Sequence, residues 1–142
     1  MKRTPLRRKS KSPQAKLERQ LWELCRKVCY HRDKKEDGSI DCYTCGACNI
    51  EKQNRQLGHL WAKASLGAIL KYKIDILRFQ CFRCNINFGG NGAIFYAKIL
   101  KEIGKKKMAD IESLKNVLVK ASDHYFNLSE EYKNKLKEYE EK

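Results

Sequence analysis

Cys42 and Cys45, then Cys81 and Cys84, form two Cys-x-x-Cys pairs, with His59 between them and Asn85 directly after the last cysteine. Two such turns offer four soft thiolates, which is what a closed tetrahedral zinc site takes, so a structural Zn²⁺ is expected there. Two complete pairs fill the tetrahedron without Cys48, which is read as spare, and they leave the imidazole and the carboxamide free for other chemistry. An imidazole can take a proton from water and a carboxamide oxygen can hold a hard cation beside a phosphate, and phosphodiester hydrolysis needs both services. The thiolate spacing alone suits a zinc ribbon or a rubredoxin-like knuckle equally well. The residues between and after the pairs are what point to a nuclease.

Charge points the same way. The chain has 142 residues, with 31 Lys plus Arg against 17 Asp plus Glu and a formal net charge of +14. Such an excess favours a polyanion, and DNA is the expected partner, bound less tightly as salt rises. Residues 51–100 hold eight basic side chains and two acidic ones, Glu51 and Asp75, so the positive field is strongest where the candidate chemistry lies. Arg7, Arg8, Lys63, Lys71, Lys73, Arg78, Arg83, Lys105, Lys106 and Lys107 are the candidate phosphate contacts. The sequence has neither an apolar run of the roughly 18 to 20 residues that span a bilayer nor an apolar core behind its basic N-terminus. A cytoplasmic location is therefore expected (the host cell's, for a phage-encoded chain), with no membrane partner. Seven cysteines in that setting read as metal ligands and free thiols, not as a disulfide framework.

The elements that must position these groups divide the chain into four. Residues 1–12 form a basic arm expected to be disordered. Residues 13–39 hold a helix and a loop: Ser12-Pro13 starts the helix, and Leu17, Leu21, Leu24 and Val28 carry its apolar stripe to about residue 31. Cys25 and Cys29 lie near that stripe as packed thiols, and His31 suits the negative end of the helix dipole. Residues 40–104 are the zinc-stapled core, with a short strand over Ile40–Thr44 and another over Gln56–Ala62 that carries His59 at its centre. Gly89-Gly90 breaks the chain, and Asn91, an N-cap or a cation ligand, opens a helix that Gly104 ends. Residues 105–142 are a helical extension: a basic linker at Lys105–Lys107, a helix over about 109–121, and a charged tail helix from Ser129 with that serine as its cap. The fold class is α+β.

The order Cys42-x-x-Cys45, His59, Cys81-x-x-Cys84-Asn85 resembles the phage endonuclease VII family of junction-resolving enzymes. The phrases CYTCG, LGHLWAK and LRFQCFRCNINFGGN, the Ile-Phe-Tyr-Ala helix that follows, the opening MKRTPLRRKSKS and the lysine-rich C-terminus resemble more closely the NinG (Rap) recombination proteins of lambdoid phages. That resemblance covers most of the chain. It implies a ββα-metal core of the HNH or His-Me finger type and a structure-selective endonuclease that cuts branched intermediates such as Holliday junctions and D-loops. It further implies that His59 is the general base and that Asn85 holds a catalytic Mg²⁺ or Mn²⁺ while the zinc only shapes the site. Many enzymes of this type place an aspartate before the histidine as a cation ligand; here that residue is Gly58, which leaves Asn91, and after it Asn87, as candidates for the second ligand. The asparagine that orients the histidine in the wider motif falls near Ile76, so either a backbone carbonyl holds the imidazole or the activity is weak. A homodimer and recombination-protein partners are compatible with this reading. Two alternatives are a non-catalytic zinc-dependent DNA-binding accessory protein and a sequence-specific homing or restriction nuclease of the same motif class.

Overall fold

The computed structural model describes residues 12–142; the N-terminal arm, with Arg7 and Arg8, lies outside the described residues. Helix α1 (Pro13–Asp33) starts as its sequence dictates: Pro13 occupies the first turn, and the Ser12 hydroxyl accepts from the Ala15 N–H at 3.2 Å. It runs two residues past the expected end and buries Leu21, Cys25, Val28 and Cys29. Both thiols are packed, and burial pushes the Cys29 thiol up to about 11. Arg32, in the last turn, reaches across to the Ile74 and Leu77 carbonyls at 2.7 and 2.6 Å and pairs with Asp33 at 2.6 Å.

The sheet is small. Strands β1 (Gln56–His59) and β2 (Leu77–Gln80) pair antiparallel, with Leu57 opposite Phe79, Gly58 opposite Arg78 and His59 opposite Leu77. His59 is therefore the last residue of its strand and not its centre, because the chain turns away after Leu60. The expected strand over Ile40–Thr44 is absent too: the chain curls at Cys42 into a turn closed by Gly46 N–H to Cys42 C=O at 3.0 Å, so only isolated bonds such as Tyr43 N–H to Phe79 C=O at 2.9 Å form.

After the short helix α2 (Ala68–Lys71), β2 leads into a π-helical turn over Arg83–Asn87 and then α3 (Gly92–Ile103). Gly104, at φ 87°, ends α3 with a backbone geometry other residues avoid. The chain resumes at once as α4 (Lys105–Ser113), so Lys105–Lys107 is the first turn of a helix and not a linker. Met108 and Ile111 explain the early start, because both are buried against Phe95, Ile99, Leu70 and Ile76. Helical structure then lapses: Val117 is extended and Leu118 is 96% exposed, so the helix expected to reach 121 stops short. Helix α5 (Ala121–Glu140) begins eight residues before the expected Ser129. Tyr125, Leu128, Tyr132, Leu136 and Tyr139 recur at helical spacing and pack against α1, which buries Ser129 in mid-helix and leaves it no capping role.

Two apolar clusters thus flank the ladder, one between α1, α5 and the sheet, the other under α3 and α4. No helix among the described residues is long and apolar enough to cross a membrane.

Candidate metal centre and histidine cleft

The knuckles close on each other. The Sγ atoms of Cys42, Cys45, Cys81 and Cys84 all lie within 4.8 Å of one another. The Cys45 and Cys81 sulfurs are 3.8 Å apart, which matches the edge of about 3.8 Å of a tetrahedron built on Zn–S bonds of about 2.3 Å. Four converging cysteines of this geometry could hold a metal such as zinc. Burial opposes ionisation of Cys42, but the backbone groups of Cys45 and Cys81 and the Thr44 hydroxyl oppose burial and win, bringing that thiol down to about 6. Cys48 lies outside the cluster, exposed, with its sulfur 3.6 Å from the Gly46 carbonyl.

Polar groups just outside the sulfurs orient them, as they do around metal centres generally. Asn91 is one: its amide nitrogen points at Cys84 Sγ from 3.8 Å, and its backbone takes the left-handed conformation at φ 53°. It stands at the N-cap position of α3 without a side-chain cap bond, and it does not line the cleft that holds His59 and Asn85. The structure therefore turns its amide nitrogen toward the thiolates rather than its oxygen toward a catalytic cation. Asn87, in the π-turn, is exposed and does not line the cleft.

That cleft has a volume of about 200 Å³ and is lined by His59, Leu60, Trp61, Lys63, Asn85 and the glycines that follow the knuckle. The elements hold the imidazole from two sides. Trp22 of α1 stacks on it with ring centroids 5.3 Å apart and planes 4° from parallel. His59 Nε2 lies 2.9 Å from the Lys71 carbonyl; a carbonyl only accepts, so Nε2 carries the proton and Nδ1 is left as the basic nitrogen. A backbone carbonyl thus does what the missing asparagine at Ile76 cannot. Burial, assisted by the positive charges of Lys63 and Lys71, holds the imidazole below its usual range against the pull of that carbonyl, so it is neutral at pH 7.

The basic residues fare unequally. Lys63 and Arg83 are exposed, Lys63 at the cleft and Arg83 over the Phe88 ring at 5.0 Å, and Lys105, Lys106 and Lys107 project from α4 into solvent. Lys71 pairs with Glu18 at 3.0 Å and Lys73 with Asp75 at 3.4 Å. Arg78 is a correction. It is 5% exposed, its guanidinium spent on the Ile74, Asp75 and Leu77 carbonyls and on Glu102 at 3.1 Å, so it ties β2 to α3 and offers nothing to a phosphate. Arg78→Ala is expected to cost about 1–3 kcal/mol of stability in urea denaturation by stranding those carbonyls, with DNA affinity unchanged. Loss of affinity at full stability would restore it as a phosphate contact.

Sequence reasoning missed Trp22, which sits off the apolar stripe of α1, and Gln80, a buried polar residue whose only linear signal is a glutamine directly before a metal-ligating cysteine.

A family model described as the Bacteriophage Lambda NinG protein matches residues 2–142. No curated protein and no solved structure matches the chain.

Proposed function

Since the chain belongs to the NinG family of bacteriophage lambda, we propose that it is a metal-dependent endonuclease that hydrolyses phosphodiester bonds in branched DNA, such as Holliday junctions, during phage recombination. Its core is read as a zinc-stapled ββα-metal unit: β1, β2 and the helix beyond the second knuckle. The observation that carries the reading is the neutral His59, clamped between Trp22 and the Lys71 carbonyl, lining the same cleft as Asn85.

On this reading His59 Nδ1 takes a proton from the attacking water, while its Nε2–H stays on the Lys71 carbonyl and keeps the ring from turning. Asn85 presents its carboxamide oxygen to Mg²⁺ or Mn²⁺, whose charge offsets what builds up on the phosphorane and the leaving oxygen. Lys63 at the cleft and Arg83 beyond it steady the backbone of the scissile strand, and the lysines of α4 follow its continuation. A homodimer would present two such clefts to the two symmetric strands of a four-way junction.

The test uses an end-labelled Holliday junction and a linear duplex of the same sequence, each with Mg²⁺, Mn²⁺ or EDTA. Junction cleavage that depends on the cation and spares the duplex is the expected result. A junction bound tightly but left whole under both cations makes the protein a binding module instead.

A further inference from the structure

Gln80 is the last residue of β2 and is fully buried. Its amide nitrogen donates to the Gly90 carbonyl at 2.7 Å and to the Thr44 hydroxyl at 3.1 Å. The Gly90 carbonyl can only accept, so the amide cannot be turned round, and Oε1 is the atom that faces β1. Among the described residues no donor reaches that oxygen, although it is shut away from water. Buried acceptors are nearly always satisfied, so one that is not asks for an explanation.

Gly58 supplies it. The ladder sets Gly58 opposite Arg78, which puts position 58 diagonal to Gln80 on the same face of the sheet. A Cβ at position 58 would lie 2.1 Å from Gln80 Oε1, and the same point is 3.3 Å from Asn85 Oδ1. Two carboxamide oxygens from different elements therefore converge where a side chain at 58 would begin, with no hydrogen between them. Neutral oxygens gathered without a donor are the ligand set of a hard divalent cation.

We propose that Gln80 Oε1 is the second protein ligand of the catalytic cation, reaching from β2 into the space that Gly58 leaves open and completing, with Asn85 Oδ1, a two-carboxamide site. The inference rests on the reading of Asn85 given above. It explains why position 58 is glycine: any larger residue would collide with the oxygen that does the work. It also gives the site a preference. An ion must shed a hydration water to reach an oxygen that water does not touch, and Mg²⁺ dehydrates reluctantly, so Mn²⁺ is favoured. Through Thr44, whose hydroxyl lies 3.5 Å from Cys42 Sγ, the same glutamine links the cation to the zinc knuckle.

The experiment titrates Mn²⁺ into the zinc-loaded, ¹⁵N-labelled protein and follows paramagnetic broadening of side-chain amide signals, which detects weak binding. The Gln80 and Asn85 NH₂ signals are expected to broaden together, before those of other Asn and Gln residues. In Gln80→Met, which keeps the volume and removes the oxygen, the Asn85 response should need about tenfold more Mn²⁺ or higher. The double variant Gly58→Asp with Gln80→Ala should recover it, since the carboxylate then enters the vacated space. Broadening at Asn85 but not at Gln80 in the native protein overturns the proposal, as does an unchanged Asn85 response in Gln80→Met or the lack of any response at either residue. Should Gln80→Met not fold, the native pattern decides alone. Junction cleavage is scored separately: Mn²⁺ held by Gln80 without cleavage sinks the nuclease reading and leaves the site standing, whereas full cleavage by a folded Gln80→Met does the reverse.

Discussion

His59→Ala is expected to lower junction cleavage by about 10²- to 10⁴-fold, the range a positioned general base contributes, with junction affinity within about twofold of native. The asymmetry follows from the site. His59 is a neutral ring on Trp22, not a phosphate contact, and its removal takes no positive charge from the cleft. The pH profile should carry the same signature. The base works only when neutral, so cleavage falls as pH drops through the pKa of the imidazole, and that pKa lies below the ordinary 6.5 because of burial and the nearby lysines. Activity should therefore be flat at neutral pH and above, with its acid limb shifted below 6.5. Stability follows the same sign: a histidine that is harder to protonate when folded stabilises the fold above 6.5 and progressively less as pH falls through the folded value. A variant that cuts at the native rate, or that loses binding in step with cleavage, would remove His59 from the chemistry. Trp22→Leu, which takes away the stacking partner and leaves the imidazole, should give a smaller defect.

Removing the metal should have the larger structural effect. The knuckles hold β2 and the π-turn to the 42–46 loop, and few apolar contacts bind that loop otherwise: Cys45 through Asn49 are all exposed. Structural zinc contributes about 10–16 kcal/mol in small zinc peptides, which is comparable to the whole stability of a domain of this size, about 5–15 kcal/mol. Chelation, or Cys42→Ser or Cys84→Ser, is thus expected to melt the 40–90 region, lowering helical circular dichroism and abolishing the junction activity with it. Cys48→Ser is the control and should bind one zinc per chain as the native protein does. A metal-free protein whose backbone spectrum matches the native one would show that the four sulfurs are merely neighbours.

What was legible in the sequence, and what was not, divides on physical lines. The cysteine pairs could be read because thiolate spacing is local chemistry that tertiary context seldom overrules, and α1 because Ser12-Pro13 and the leucine stripe act within a few residues of themselves. The C-terminal elements were misplaced for the opposite reason. Lys105–Lys107 has the composition of a linker, and it is helical because Met108 and Ile111, downstream, find a buried partner in α3. Ser129 has the chemistry of a cap, and it is interior because Tyr125 and Tyr132 on either side belong against α1. Arg78 and Arg83 look alike in the chain; one is buried under Glu102 and the other stands in solvent, a distinction that only the packing of α3 on β2 makes. Gln80 shows the limit most clearly. Its partners are Thr44, Gly90 and the empty side of Gly58, residues up to 36 positions away, and no local pattern announces them.

The Tyr132 hydroxyl of α5 donates to the Tyr72 carbonyl at 2.6 Å and accepts from the Ile74 N–H at 3.2 Å. Those bonds clamp the segment directly after Lys71, the residue whose carbonyl steadies the imidazole. Any fluctuation that peels the final helix from the first one loosens that anchor as well, so the two openings form a single cooperative unit. The precision of the ring at the cleft is in this sense guaranteed from the far end of the polypeptide, by a residue that never approaches the DNA.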